Sequence, residues 1–267
     1  MNNCFLENTE VMTLSGVKKI QDIKSGDKVI SHTGKVQNVL QLYKNLLLDR
    51  KIYLLKVYKT KDIYVTSNHR FCSIKYNDIT PRWRPVSSLD NSCGIGIPCY
   101  NGKIKEDFVM IDLQKITIDK DIAKYLGLFM FVKELSIQNE NLDTIKKLFN
   151  HMFNNRIWPN MINWDNELIY SFMNGLTSDL QNINIKISQV YINDLYHLFR
   201  IFGIEVQLSD DYLLFPVSND PSIMLVNNVK FLRIIDIVET DLKPEYVYTF
   251  SVDVDYSYNV EGLLCEN

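Results

Sequence analysis

The chain has 267 residues, of which 46% are apolar, so it can bury the core of one large domain or two modest ones. Its formal net charge of -3 gives no basic field for nucleic acid, and no stretch approaches the roughly 18 apolar residues of a membrane span. We therefore expect a soluble protein without a membrane or nucleic-acid partner.

Five cysteines are spread along the chain without CxxC spacing. An odd number at such spacing encodes neither a disulfide framework nor a zinc site. The first residues also lack the basic and apolar regions of a secretory signal. We expect thiols in a reducing, cytoplasmic compartment, with no metal and no cofactor. The cysteines are Cys4, Cys72, Cys93, Cys99 and Cys265.

Short strand-like segments separated by turns fill residues 10–89. Gly16, Gly26 and Gly34 stand in turn sequences, where glycine can take a positive φ. The segments between them are rich in β-branched and aromatic residues, and a turn at roughly every 8 to 12 residues predicts an all-β domain. The clearest predicted strands cover 28–31, 36–42, 52–58 and 63–66.

A faint internal repeat lies in this region at an offset of 66 residues. Residues 20–29 match residues 86–95 at several apolar and small positions, which suggests a pseudo-twofold β fold. Cys93 stands where the first copy has Asp27. This mismatch leaves a coincidence between two β turns as the alternative.

The sequence after Pro98 changes to helical periodicity mixed with short strand-like segments. Apolar residues recur at three- and four-residue intervals in three stretches, which predicts three helices. Asn141 can cap the second helix, and Gly203 can end the third. This mixed α/β segment interrupts a β pattern that resumes toward the C terminus. The predicted helices begin near residues 121, 141 and 188–193, and the predicted strands cover 183–187, 205–208 and 212–217.

The last stretch returns to strand-like sequence and ends in Asn267. This asparagine, with Cys4 near the other terminus and the Thr66-Ser-Asn-His69 motif between them, resembles an intein, a domain that excises itself from a host protein. The three motifs stand at the places that the resemblance requires. The predicted C-terminal strands cover 247–252 and 256–260.

Inteins share with the self-cleaving domain of hedgehog proteins the Hint fold, a flattened horseshoe of strands in which the two chain ends meet. Many inteins carry an inserted homing endonuclease. The resemblance therefore implies a mainly β Hint fold interrupted by a small inserted α/β domain. The implied parts are a host stub at 1–3, a splicing domain at 4–104 and 226–267, and the insert at 105–225.

The resemblance assigns the first step to Cys4, whose thiol would attack the carbonyl of Asn3 and convert an amide into a thioester. A thiolate is a strong nucleophile at neutral pH, and held geometry replaces concentration. His69 would protonate the leaving amide nitrogen, since histidine can donate near neutrality. Thr66, with Asn68, would hold the scissile amide or its developing oxyanion by hydrogen bonds.

The resemblance assigns the last step to Asn267. A Cys, Ser or Thr that begins the downstream host segment would first take over the acyl group. The Asn267 side chain would then attack its own carbonyl, form a succinimide and release the domain. Glu266 stands where the family usually has histidine, and an ionised glutamate polarises a carbonyl poorly, so C-terminal cleavage should be slow or rely on another donor.

For three further residues of the last strands, the sequence leaves two possible roles open. Thr249 and Tyr256 replace an aspartate and a histidine of the family, and each would either donate a hydrogen bond or serve only as a strand residue. Cys265 would either approach Cys4 and form a disulfide that switches the nucleophile off, or remain an ordinary buried thiol.

Two segments of the insert resemble the paired helix motifs of LAGLIDADG homing endonucleases. Gly127 and Gly175 suit close packing of two helices, but the positions of the metal-binding acids hold Val132 and Leu180, which cannot bind Mg²⁺. Residues 119–220 carry 8 Lys and Arg against 13 Asp and Glu, whereas DNA affinity depends on cations. We expect either a degenerate insert without endonuclease activity or an unrelated α/β insertion. The two segments are 125–133 and 172–181.

The implied partners are the flanking host segments in cis, for a monomer that acts wherever its host is made. Two related alternatives are a bifunctional intein with an active homing endonuclease and a hedgehog-type autocleaving domain, which would share Cys4 and His69 without needing Asn267. A non-catalytic β domain, in which Cys4 and Asn267 are accidental, is the alternative from another class.

Overall fold

The computed structural model of the protein describes most of the chain, in two units. None of the helices in the described ranges has both the length and the apolar character that a bilayer crossing needs. Unit 1 contains Met1–Asn101, Phe199–Gln207 and Pro216–Asn267, and unit 2 contains Gly102–Leu198 and Leu208–Phe215. The described residues are 3–98, 108–112, 114–130, 142–154, 161, 164–177, 184–186, 189–204, 206–209, 212–214, 223–226 and 229–266.

Strands dominate the described residues, and those of unit 1 form one antiparallel sheet of 14 strands. The expectation of a mainly β fold is confirmed. The strands are β1 (Glu10–Thr13), β2 (Gly16–Lys19), β3 (Lys28–Ile30), β4 (Val36–Leu46), β5 (Ile52–Val57), β6 (Ile63–Thr66), β7 (Arg70–Lys75), β8 (Asp78–Pro85), β9 (Cys93–Ile97), β10 (Phe108–Ile111), β11 (Gln114–Thr117), β12 (Asn184–Lys186), β13 (Gln207–Ser209), β14 (Tyr212–Leu214), β15 (Ile223–Val226), β16 (Val229–Thr240), β17 (Tyr246–Val252), β18 (Ser257–Val260) and β19 (Leu263–Glu266).

The sheet of unit 1 follows the order β17-β4-β3-β1-β18-β19-β7-β9-β16-β5-β6, with β2 beside β1, β8 beside β7 and β15 beside β16. Strands from the two ends of the chain thus lie side by side, where β1 pairs with β18. The two longest strands change partner along their length. β4 pairs first with β3 and then with β17, and β16 pairs first with β9 and then with β5. A register shift at residues 234–236 lets β16 bend between its partners.

The largest apolar cluster of unit 1 packs beneath the two chain ends. Phe5 follows Cys4 directly and is fully buried, as are Phe71, Phe250 and Tyr258. Burying one phenylalanine stabilises the fold by about 1.5–3 kcal/mol. The same side chains that stabilise the core therefore fix the backbone beside Cys4.

The internal repeat appears in the structure as two copies of one local motif. In each copy a short 3-10 helix, Ile20–Asp22 or Val86–Ser88, is followed by a turn and a strand, β3 or β9. The turn closes on Asp27 in the first copy and on Cys93 in the second, where each amide donates over 3.0 Å to the carbonyl three residues earlier. The change from Asp27 to Cys93 leaves this backbone hydrogen bond in place, so the two copies share one local motif, whereas the pseudo-twofold fold stays a prediction.

Unit 2 combines helices with two small sheets, one of β10 and β11 and one in the order β12-β14-β13. The three predicted helices begin within two residues of their expected positions, and a further helix lies between the second and third. Asp119 and Asp165 cap two of them, because their side chains accept from the amides of Ile122 (2.8 Å) and Leu168 (2.9 Å). The helices are α1 (Lys120–Phe129), α2 (Leu142–Asn154), α3 (Asn166–Thr177) and α4 (Gln189–Ile201), whose last residues belong to unit 1.

Helices α1 and α3 pack in close contact at two glycines. A Cβ atom added to Gly127 would lie 2.1 Å from the carbonyl oxygen of Phe172, and one added to Gly175 would lie 1.8 Å from that of Lys124. Both approaches are shorter than any side chain tolerates, so only glycine fits. The expected close packing at these glycines is confirmed, whereas Val132 and Leu180 lie outside the described residues.

Candidate functional site

The backbone next to Cys4 is held between two strands that are distant in sequence. Phe5 forms isolated bridges to Val65 of β6 and to Tyr248 of β17. Its amide donates to the Tyr248 carbonyl, and its own carbonyl accepts from the Tyr248 amide, both at 2.8 Å. Phe5 is bridged to both Val65 and Tyr248, and these strands are part of the packed sheet. The backbone beside Cys4 therefore has a defined position in unit 1.

Thr66 contacts both sides of the Cys4 backbone. The amide of Cys4, which is the nitrogen of the Asn3–Cys4 peptide bond, donates to Thr66 Oγ1 over 3.0 Å. The Thr66 hydroxyl and amide donate in turn to the Cys4 carbonyl at 3.2 Å and 2.9 Å. Thr66 is fully buried, so these bonds do not compete with water. The structure thus places Thr66 at the peptide bond that the sequence marked.

The Cys4 thiol lies against two polar groups that the sequence motifs did not indicate. Arg50 Nη1 donates to Cys4 Sγ at 3.3 Å, and Asn45 Nδ2 donates at 3.6 Å. Burial raises the pKa of this thiol, and Arg50 and Asn45 offset part of the rise because both favour the thiolate. The guanidinium is itself anchored, since it donates to the carbonyls of Leu47 (2.9 Å) and Leu46.

His69 is fully buried beside Phe5, with ring centroids 4.1 Å apart, and beside Phe71 at 5.3 Å. Within the described residues, neither ring nitrogen has a hydrogen-bond partner, and the same holds for Asn68 Oδ1. Burial lowers the pKa of His69 to about 3, so the ring is neutral at physiological pH. Buried ring nitrogens without partners are uncommon in folded proteins, so the ring of His69 has both nitrogens available for a further contact.

The C-terminal strand runs toward His69. Cys265 of β19 pairs with Phe71 of β7, two residues after His69, and the two strands are antiparallel. Glu266 follows and forms an ion pair with Arg70 at 3.4 Å. Its carboxylate is therefore already engaged by Arg70. Asn267 lies outside the described residues.

The buried side of β18 and β19 presents Tyr258 rather than Tyr256. Tyr258 is fully buried, and its hydroxyl lies 3.2 Å from Thr249 Oγ1, which assigns Thr249 a hydrogen-bonding role. Burial raises the pKa of Tyr258 well above its ordinary value, and the nearby thiols Cys265 and Cys4 add to the rise. Tyr256 is 67% exposed, has a φ of 49° and lies just before β18, so it is not a strand residue, and its hydrogen-bonding role stays a prediction.

Cys265 is a buried thiol that donates to the carbonyl of Tyr258 at 3.3 Å. Cys4, Cys72, Cys93 and Cys265 are all thiols rather than halves of a disulfide, and Cys99 lies outside the described residues. The structure therefore agrees with the ordinary buried thiol and not with a bond between Cys4 and Cys265.

A groove of about 750 Å³ opens beside the thiol. Asn45 and Arg50, which contact Cys4 Sγ, also line this groove, and Ser67 and Asn68 line it next to Thr66 and His69. Cys4 itself is fully buried and is separated from the groove by Asn45 and Arg50. Its other lining residues are Lys44, Leu46, Leu48 and Asp49.

No family model matches the chain. The ATP-dependent DNA helicase Hel308 from Thermococcus kodakarensis is 32% identical over 72 residues, which cover 27% of this chain and 6% of the helicase. Because the match covers so little of the helicase, the activity of the helicase is not assigned to this chain.

Similar solved structures are inteins or an intein-like domain. The DnaB intein from Synechocystis sp. PCC 6803 has a TM-score of 0.44 at 9% identity, covering 99% of this chain and 98% of that one. The gp41-1 intein has a TM-score of 0.38 at 11% identity, covering all of both chains. The bacterial intein-like domain from Clostridium thermocellum has a TM-score of 0.38 at 14% identity, again covering all of both chains.

Proposed function

We propose that the chain is a protein-splicing domain of the intein class, which removes itself in cis from the host segments on either side. The proposal rests on two hydrogen bonds that position Cys4, one at its backbone nitrogen and one at its sulfur. Its amide nitrogen donates to Thr66 Oγ1 at 3.0 Å, while its sulfur accepts from Arg50 at 3.3 Å. The scissile bond and the nucleophile of the same residue are therefore both held in position. Orientation of this kind can lower the activation barrier of an intramolecular attack by about 7–11 kcal/mol.

In the first step the Cys4 sulfur bonds to the carbonyl carbon of Asn3, and the bond from that carbon to the Cys4 nitrogen breaks. A proton joins the leaving nitrogen, so an amide becomes a thioester and an amine. Thr66 holds that nitrogen. His69 rests as a neutral ring, and an imidazolium formed there would be a strong acid because burial lowers its pKa to about 3.

In the later steps a Cys, Ser or Thr of the downstream host segment takes over the acyl group, and Asn267 cyclises to release the domain. The groove lined by Arg50 and Asn68 lies next to residues that contact Cys4 and could receive the incoming residue. The carboxylate of Glu266 is already engaged by Arg70 at 3.4 Å. The C-terminal step is therefore expected to be slow or to depend on another donor.

The splicing domain would comprise residues 4–104 and 226–267, with residues 105–225 as an insert of the LAGLIDADG kind. The division of the chain into two units supports an insertion, and the contact of α1 with α3 at Gly127 and Gly175 supports paired helix motifs. We expect no endonuclease activity. Incubation with Mg²⁺ and DNA carrying the uninterrupted host site tests this, because specific cleavage would instead support a bifunctional intein.

The test of the splicing function uses a precursor with host segments on both sides, followed by mass. Cys4→Ala should block cleavage at the upstream junction, and Asn267→Ala should trap branched or upstream-cleaved forms. Cys72→Ala, at a cysteine of β7, is the matched control and should process like the wild type. Normal processing by both site variants would refute the proposal. Upstream cleavage without release of the downstream segment, in the wild type as well as in Asn267→Ala, would favour a hedgehog-type domain instead.

A further inference from the structure

The segment around Cys4 runs antiparallel to β6 in a fixed register. The amide of Leu6 donates to the carbonyl of Tyr64 over 3.3 Å, and the amide of Thr66 donates to the carbonyl of Cys4 over 2.9 Å. Because the two segments run in opposite directions, each step upstream from Cys4 corresponds to a step downstream from Thr66. The register therefore directs the chain upstream of Cys4 toward the residues that follow Thr66.

The residues that follow Thr66 line the groove of about 750 Å³ described above. These residues are Ser67 and Asn68. Cys4 is fully buried, whereas Asn3 is partly exposed, so the chain reaches the surface at this point. A host segment that ends at Asn3 therefore leaves the interior beside this groove.

The same groove borders the two atoms of Cys4 that carry the upstream segment in the proposed reaction. The segment is joined to the Cys4 nitrogen before the acyl shift and to the Cys4 sulfur after it. The nitrogen donates to Thr66 Oγ1, and the sulfur accepts from Asn45 and Arg50, which line the groove. A second groove, of about 580 Å³, also borders the loop between β4 and β5, but it extends toward residues 239–245. The 750 Å³ groove is therefore the one beside the segment both before and after the shift.

Two exposed leucines line the 750 Å³ groove. Leu46 is 51% exposed and Leu48 is 78% exposed. The backbone of Leu48 has a φ of 54°, in the left-handed region, where a leucine is strained and a glycine is not. Residues held in such a conformation are concentrated at binding and active sites. A leucine kept exposed in a strained backbone points to an apolar partner.

We propose that this groove binds the upstream host segment as an extended peptide, with an apolar host side chain against Leu46 and Leu48. The proposal rests on the splicing function. Side chains of an extended segment alternate in direction, so the residue two before Cys4 points to the same side as the thiol. That side faces the loop of the two leucines, because Arg50 of this loop contacts the sulfur. The favoured host segment therefore has a large apolar residue at position 2, which is Asn2 in this chain.

The experiment uses the precursor with both host segments and follows thiol-induced cleavage at Cys4. Asn2→Leu should speed this cleavage about tenfold, because the new leucine gains an apolar contact that holds the segment beside the thiol. Asn2→Asp keeps the size of asparagine, stays polar and should not speed it. Leu48→Gly should remove the gain in the Asn2→Leu precursor, whereas alone it should change the rate by less than about twofold.

A comparison of two glycine variants separates binding from folding. Leu48→Gly relieves backbone strain at an exposed position, so the midpoint of unfolding in urea should stay the same or rise. Val254 is the matched control, because it is 75% exposed and has a φ of 43° in the turn before β18. Val254→Gly should also keep or raise the midpoint, but it should leave the gain from Asn2→Leu intact.

Three results would overturn the binding of the upstream segment. The first is equal cleavage of the Asn2→Leu and Asn2→Asp precursors. The second is a gain from Asn2→Leu that survives Leu48→Gly, since the new leucine would then act outside the groove. The third is an effect of Leu48→Gly confined to joining with the downstream segment, which would assign the leucines to that segment. A wild-type precursor that cleaves at neither junction would overturn the splicing function as well, and cleavage at Cys4 in the wild type distinguishes the two failures.

Discussion

Arg50 is expected to set the reactivity of Cys4. Its Nη1 lies 3.3 Å from the sulfur, and the backbone carbonyls of Leu46 and Leu47 hold the guanidinium in that place. Burial raises the pKa of the thiol, so the thiolate needs a partner that favours negative charge. Arg50→Met keeps an unbranched side chain and removes the charge.

The size of the effect follows from this contact. A hydrogen bond to a charged group contributes about 1.5–3 kcal/mol. Coulomb attraction at 3.3 Å with an effective dielectric constant near 20 gives about 5 kcal/mol, an upper limit because Arg50 is partly exposed and water screens it. At about 1.4 kcal/mol for each factor of ten, the smaller range predicts about 10- to 150-fold less thiolate at pH 7 in Arg50→Met.

Two assays measure this loss. Alkylation of Cys4 by iodoacetamide, followed against pH, should shift toward higher pH in Arg50→Met, with Arg50→Lys in between. Thiol-induced release of the upstream segment from the precursor should slow by the same factor. Arg82→Met removes an exposed ion pair with Asp78 on β8 and should change neither rate. Wild-type alkylation and release by Arg50→Met at pH 7 would refute the reasoning.

Three further predictions follow from buried contacts. Thr66→Val removes the acceptor of the scissile amide and should slow thiol-induced cleavage about 100-fold, whereas Thr60→Val in a surface turn should not; equal rates would contradict the role. His69 has a pKa lowered to about 3 from 6.5, so the unfolded chain binds a proton that the folded chain excludes. The unfolding free energy, measured with urea, should therefore fall by about 2 kcal/mol from pH 6.5 to 5, and an unchanged loss in His69→Phe would disprove this cause. Gly175→Ala forces a methyl to 1.8 Å from a backbone oxygen of α1 and should destabilise unit 2 by about 1–3 kcal/mol, whereas exposed Asn174→Ala should not; matching melting temperatures would exclude the close contact.

The sequence indicates the parts of the candidate site that belong to short motifs. Cys4 and the Thr66–His69 motif were identified because each combines a reactive residue type with a fixed local spacing. Arg50 and Asn45 were not, because their contact with the sulfur depends on where β4 ends and how the loop to β5 returns. Arg50 and Asn45 belong to no sequence motif that would identify them as site residues. Only the folding of the sheet brings them into contact with Cys4.

The choice between Tyr256 and Tyr258 shows a second limit. Both tyrosines have the same parity along the chain, so alternation alone would turn them to one face. The left-handed backbone at Tyr256, with a φ of 49°, breaks that alternation before β18 begins and turns its side chain to solvent. A positive φ at a tyrosine has no signature in composition or spacing.

Helices were predicted where an apolar stripe is long and regular. The starts of α1, α2 and α4 were found within two residues, because periodicity defines them independently of their partners. For α3 the glycine motif was recognised, but the N-terminal half was missed. That half begins beyond Asp165, whose capping bond to Leu168 defines the start only in three dimensions.

The central claim is that the peptide bond between Asn3 and Cys4 is exchanged for a bond between the two host segments. The most direct measurement is the intact mass of a wild-type precursor after incubation. Splicing predicts two products, the joined host segments and a released domain whose C-terminal succinimide is lighter by one water than a terminal asparagine. A folded precursor that keeps its original mass, under conditions where Cys4 is reduced, would contradict the account.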